Sequence, residues 1–299
     1  MVVSSATAAI VCVGTAALDT IAVVPRLPDP DGRIEASRIV TAGGGPAATA
    51  AVAIARLGVP VELSAVVGRD AAGDQVIAQL EAEGVGTRFI ERREGLATAQ
   101  SLILVCEDEA TRAIVTKPAS VTPVIPEGFD WVHVDQAGFP ALGQGPFPFK
   151  LSVDDGNPVP GFGLKGVNLY APTVAVLSAR FPGSVKAAGQ AARNAGATSV
   201  VATDGSNGSF IFGDSGTQHV PAFPVKALST LGAGDVFHGA LLAAVALGKE
   251  LPEAVRMANA CAAMSCLGLD GRSAIPTLPE LNAALNDTEF SNQSEGAIA

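Results

Sequence analysis

Strand-like and helix-like segments take turns along almost the whole chain, and this alternation restricts the fold more than any other feature. Ile10–Val13 reads as a strand that runs into Gly14. Residues 47–57 form a small-residue helical segment, followed by a strand at 61–67 and a helix at 75–83. Trp131–Val134, residues 150–153 and Ser199–Thr203 read as further buried strands, and 185–195, 236–247 and 253–267 as helices. Such alternation predicts an α/β domain with a central, mostly parallel sheet flanked by helices. Two stretches break the rhythm. Residues 34–40 alternate briefly, and residues 97–105 and 110–116 read as a β-hairpin around Glu107, Asp108 and Glu109. A hairpin inserted in an α/β domain often covers a site, so lid segments are expected at about 15–41 and 97–118. No internal repeat or long linker interrupts the chain, so residues 1–299 read as one domain, with a polar tail after Asn286 that is expected to fray.

Composition limits the partners. Apolar residues make up 48% of the chain, enough to bury a large core, and with one Trp and one Tyr the packing falls to Ala, Val, Leu and Gly. The net charge of -10 argues against nucleic acid and anionic membrane. It leaves room for a phosphorylated cofactor, because backbone N–H groups at a helix start hold phosphate without any lysine. Cys12, Cys106, Cys261 and Cys266 lack zinc-ligand or CxxC spacing and are expected to be buried thiols in a reducing, cytoplasmic setting. No basic n-region precedes Ile10–Val13, which is too short for a signal core or a span.

The most informative stretch is Ser229-Thr230-Leu231-Gly232-Ala233-Gly234-Asp235-Val236-Phe237-His238-Gly239-Ala240. A glycine-rich turn opens directly into a helix. Small residues at 232–234 let a ligand approach the backbone, whose N–H groups and helix dipole favour developing negative charge. Asp235 at the mouth of that pocket is placed to take a proton from a hydroxyl in phosphoryl transfer. The alternative is that Asp235 only caps the helix. A P-loop is excluded, since no G-x-x-x-x-G-K-[ST] occurs, and no G-x-G-x-x-G joins a strand to a helix.

This turn resembles the D-T-x-G-A-G-D signature of the PfkB, or ribokinase-like, carbohydrate kinases. Ala42-Gly43-Gly44-Gly45-Pro46-Ala47-Ala48 is similar to that family's N-terminal glycine motif. Val67-Gly68-Arg69-Asp70-Ala71-Ala72-Gly73 resembles its V-G-x-D-x-x-G segment, and Gly271-Arg272-Ser273-Ala274-Ile275-Pro276 the end of its nucleotide site. The four motifs stand in the family's order and spacing. The wording GGGPAAT and GDVFHGAL is most similar to the sulfofructose-kinase branch. The resemblance implies a ribokinase-like fold and an ATP- and magnesium-dependent kinase acting on a hydroxyl of a sugar or sugar acid. It implies Asp235 as base and Gly232, Ala233 and Gly234 as anion hole. Asp19 would bind sugar hydroxyls, and Gly43 and Gly44 would let the sugar lie against backbone. Thr203, Asp204, Gly205 and Gly208 would line the ATP phosphates and ribose, and Asn259 would face the adenine. Paired lids in relatives imply a homodimer.

Three departures stand out. Ser229 replaces the leading Asp, which in relatives helps hold a monovalent cation. No acid occurs from Gly156 to Thr203, where relatives carry the Glu of an N-x-x-E motif that organises magnesium; Asp154 and Asp155 are the nearest acids upstream. The sulfonate-binding Asn and Arg of the sulfofructose-kinase branch fall at Thr116 and Gln136–Ala137, so that substrate is not carried over. Arg33 and Lys117 are the candidate replacements for an anion-binding charge, with a solvated Lys117 as the plainer reading. A nucleoside kinase and a catalytically impaired sugar- or nucleotide-binding homologue are the competing functions; the scarcity of aromatics counts against the first.

Overall fold

The computed structural model describes residues 9–106, 111–118, 121–156, 162–214 and 216–287. The expected hairpin tip at 107–109 and most of the tail lie outside them. The strands are β1 Ile10–Val13, β2 Ala17–Val24, β3 Arg38–Gly44, β4 Val61–Gly68, β5 Gly86–Arg93, β6 Ala99–Cys106 and β7 Thr111–Lys117. They continue as β8 Trp131–Val134, β9 Lys150–Asp155, β10 Val167–Pro172, β11 Ser199–Thr203, β12 Ser209–Gly213 and β13 Gly216–Val220. The helices are α1 Pro46–Arg56, α2 Ala71–Ala82, α3 Val174–Arg180, α4 Val185–Asn194, α5 Ala233–Ala246, α6 Leu251–Ser265 and α7 Leu278–Asn286.

Nine strands form one sheet in the order β13-β12-β11-β10-β9-β8-β1-β4-β5. It is parallel from β11 to β5, and β12 and β13 add an antiparallel edge. The central strands are buried on both faces, which is why they read as continuous apolar runs. Ile10 and Cys12 pack into one core with α1, α2, α5, α6 and α7, while Val11 and Val13 pack into the other with α3 and α4. The predicted α/β, mostly parallel fold is therefore observed.

The helix that carries the glycine turn is held by close packing. A Cβ on Gly239 would lie against the Ala50 carbonyl of α1, so α5 and α1 meet almost backbone to backbone. Alanine-rich α1, with Pro46 in its first turn, offers the flat face this needs. That contact fixes the start of α5 at the carboxyl edge of the parallel strands, where open α/β sheets place their ligands.

The two rhythm-breaking stretches join in a separate four-stranded sheet, β3-β2-β6-β7. β2 pairs in parallel with β6, and β3 and β7 flank them antiparallel. Ile21, Val23, Ile103 and Val105 form its inner apolar face and pack on Leu269 and Leu231 of the main body. No described helix is long and apolar enough to cross a membrane.

Candidate active site

Gly232 is the N-cap of α5 and has φ +72°, a conformation glycine adopts without strain. A Cβ there would also meet Gly271 Cα at 2.9 Å. Asp235 is thus the third residue of the helix and not its cap. A helix start leaves its first N–H groups without intrahelical acceptors; here Ala233 N–H leans back to Thr230 O at 3.4 Å and Val236 N–H makes the first helical bond. Among the described residues the N–H groups of Gly234 and Asp235 have no backbone acceptor, and nothing lies within 4 Å of where a Gly234 Cβ would stand.

The Asp235 carboxyl is pushed well above the ordinary carboxylate range. Burial is the main cause, followed by the charges of Asp154 and Asp135 and a smaller one from Asp19, with Arg272 opposing. Asp19, on β2, is 7% exposed and its Oδ1 has no hydrogen-bond partner. Burial lifts it too, against Ser101 and the Arg272 charge. The structure therefore gathers Asp19, Asp235 and Arg272 from widely separated parts of the chain.

Gly43 and Gly44 lie directly against protein side chains. A Cβ on Gly44 would overlap the Asp19 carboxylate, and one on Gly43 would overlap the Arg272 guanidinium. The glycines make room for protein side chains. Arg272 donates to Gly44 O at 2.7 Å and to Thr49 Oγ1 at 3.2 Å, and burial pulls its pKa down to about 10.

Asp135 escaped the sequence reading. It follows β8 and is fully buried. Its oxygens accept from the N–H groups of Thr15, Ala47, Ala137 and Gly138 at 2.7, 3.2, 2.8 and 3.1 Å. It ties the end of β1 to the start of α1. Its place at a strand's carboxyl end was the available signal.

Thr203, Asp204, Gly205 and Gly208, expected beside the nucleotide, follow one another at the end of β11. Thr203 bridges to Thr173. Asp204 N–H donates to Gly208 O at 2.8 Å, which closes a tight loop through Gly205, and the space above Gly205 is open. Asn259 is differently employed than expected. It accepts from Ser209 Oγ at 2.7 Å and donates to Val220 O and Pro221 O at 3.1 Å, so its amide clamps α6 to β12 and β13.

The anion-binding charges also fall elsewhere. Lys117 lies opposite Gln100, out of phase with the Asp19–Ser101–Thr116 row, and so stands on the outer face of the small sheet. Arg33 is exposed on the loop between β2 and β3. Arg112 lies on the inner face, and its Nη1 donates to Thr230 Oγ1 at 2.6 Å, beside the glycine turn.

Neither mid-chain acid offers a free carboxylate. Asp155 accepts from Tyr170 OH at 2.6 Å and pairs with Arg180 at 2.7 Å. Asp154 accepts from Gly156 N–H at 2.8 Å and faces His238. Among the described residues no group of three or more His, Cys, Asp or Glu is placed to hold a metal ion.

Comparisons with known proteins agree with this architecture. The chain is 27% identical to a ribokinase of Bacillus subtilis over 294 residues, covering 92% of this chain and 99% of the relative. It is 27% identical over 281 residues to an ATP-dependent ribose-1-phosphate kinase of Halopiger xanaduensis, covering 88% and 93%. Its fold matches a ribokinase of Thermotoga maritima with a TM-score of 0.80 at 24% identity, over 94% of this chain and all of that one. A ribokinase of Arabidopsis thaliana complexed with ribose and ATP gives 0.78 at 20%, over 95% and 100%. The model of the pfkB family carbohydrate kinases matches residues 7–141 and 178–278, and the chain belongs to that family.

Proposed function

We propose that this chain transfers the γ-phosphoryl group of ATP to a hydroxyl of a sugar or sugar acid, with Asp235 as general base. One observation carries the reading: a crowded carboxylate sits in the first turn of α5, beside N–H groups that the helix leaves free, and feels the charge of Asp19, whose Oδ1 has no hydrogen-bond partner. A carboxyl lifted above its usual range is a better base near neutrality than an ordinary one. Asp235 takes the hydroxyl proton as the substrate oxygen bonds to the γ-phosphorus. The bond from that phosphorus to the β–γ bridging oxygen breaks, and ADP leaves. The N–H groups of Gly234 and Asp235 face the charge that passes through. Asp19 Oδ1 accepts from a substrate hydroxyl.

The ATP phosphates would lie over the backbone at Gly205 and Gly234, where the space a Cβ would take is open, with Thr203 and Asp204 at their side. The adenine would lie along α6 without using the Asn259 amide. The described residues form no magnesium cage, so the ion would arrive on the nucleotide's phosphates and keep its water. The outer face of the small sheet exposes Ile39, Leu102 and Val115 by 66%, 61% and 70%. Such an apolar strip suits a second copy of the chain; Leu102→Glu should convert a dimer to monomer in sedimentation.

The experiment is ADP release from purified protein against a panel of sugars, sugar acids and nucleosides. Turnover with a sugar or sugar acid supports the proposal; turnover confined to nucleosides replaces it. A second reading, binding without turnover, is favoured by the missing mid-chain Glu. It predicts that sugars or ATP raise the melting temperature while no ADP forms.

A further inference from the structure

Two buried histidines lie behind Asp235, and the reaction above uses neither. His238 is three residues after Asp235 on α5, so the two share one helix face. His238 Nε2 is 2.7 Å from Ala171 O. A carbonyl oxygen only accepts, so Nε2 carries a proton. Nδ1 lies 3.4 Å from Asp154 Oδ2, with both side chains 6% exposed, and makes no hydrogen bond. In a neutral ring that nitrogen would turn a lone pair toward a carboxylate oxygen, away from water, which is unfavourable. A second proton on the ring removes the conflict, and imidazole is intrinsically the stronger base of the two.

We propose that His238 is held as an imidazolium paired with Asp154, and acts as a positioning residue that cancels the Asp154 charge so that Asp235 can ionise. The inference rests on the reading of Asp235 as base. Asp235 is faced by Asp154 from β9, Asp135 from the end of β8, Asp19 from β2 and Arg272 from the loop after α6. Asp135 is committed to four backbone N–H groups. His133 on β8 lies with its ring centroid 6.0 Å from that of His238. Its Nδ1 meets Ser152 Oγ at 3.0 Å and its Nε2 is unpartnered. Burial, then the His238 charge, holds it down to about 4 against Asp154, so it stays neutral. His238 then joins Arg272 in offsetting this group of acids. Without His238, Asp154 would be a buried carboxylate whose charge that ring no longer offsets, and like charge drives a neighbouring acid toward its protonated form.

The chain has three histidines, so the full-length protein labelled with ¹⁵N-histidine gives a readable long-range ¹H–¹⁵N spectrum. At pH 7.5 the signal that vanishes in His238→Gln should show both ring nitrogens carrying protons. A bare Nδ1 on His238 would overturn the proposal, and this holds even if the variant does not fold, since the wild-type tautomers can be read against exposed His219. In kinetics, His238→Gln keeps a donor for Ala171 O but no charge. The acid limb of its kcat/KM profile should move up by about one pH unit or more, and adding Asp154→Asn should bring it back. An unmoved limb in folded His238→Gln contradicts the inference. If the wild type phosphorylates nothing, the kinase reading fails, while the spectrum still decides the His238–Asp154 pair.

Discussion

At the scale of single residues, the site is a concentration of carboxylates offset by a few cations. Asp19, Asp135 and Asp235 are all lifted by burial first. For an acid whose folded pKa is raised, the folded state binds more protons, so the associated stability is full at low pH and is lost as pH rises through the folded value. Neutralising such a group should therefore stabilise the fold near neutrality. Asp19→Asn should raise KM for the sugar at least about tenfold, or about 1.4 kcal/mol in binding, while Tm does not fall; an unchanged KM would remove Asp19 from the substrate site. Ser229 yields a second expectation. Its Oγ accepts from Leu231 N–H at 3.2 Å, and no carboxylate stands in its place. Turnover in potassium should exceed that in a bulky organic cation, at equal ionic strength, by less than about tenfold, equal to 1.4 kcal/mol in barrier. Asp235 was legible in the sequence because a glycine turn before a helix is a local pattern. Asp135 was not, because its partners Thr15 and Ala47 lie 120 and 88 residues away.

At the scale of elements, the sequence reading placed most central strands within a residue or two. It began α5 at residue 236, whereas the helix starts at Ala233. The sequence Gly-Ala-Gly reads as turn, yet Gly232 alone adopts the left-handed conformation, which moves Asp235 from cap to third position. Strands β2, β5, β10, β12 and β13 and helices α3 and α7 were not read as separate elements. β2 alternates buried and half-buried residues in a small sheet, so its period was visible only as part of a lid segment. The phase of β7 decided between Lys117 and Arg112, and alternation counted from Asp19 across β6 would have found it. The small sheet is proposed to close over the sugar and exclude water, which would otherwise accept the phosphoryl group. Amide exchange in β6 and the described part of β7 should slow by at least about tenfold with substrate plus a non-hydrolysable ATP analogue. Arg112→Ala should weaken that protection by freeing the sheet from Thr230. Equal exchange with and without ligands would leave the sheet a purely structural element.

At the scale of the molecule, alternation of strands and helices was enough to specify a doubly wound sheet, because parallel strands need crossover helices and both faces must be covered. What composition and period could not supply was the meeting of β2, β9, the end of β8, α5 and the loop after α6 at one carboxyl edge. The proposed function rests on that meeting, with Asp235 at its centre. Since Gly232 caps α5, Asp235→Asn costs no cap, and it relieves the repulsion from Asp154 and Asp135. Its Tm should rise, by about 2–4 °C if the relief is worth about 1 kcal/mol, and its affinity for ATP should change little. The decisive measurement is turnover of Asp235→Asn by ADP release, with the sugar that the wild type accepts. The account predicts a fall of about 10²–10⁴-fold, the usual worth of positioned acid–base catalysis, whereas a folded variant that keeps more than about a tenth of wild-type turnover would contradict the assignment of Asp235 as base.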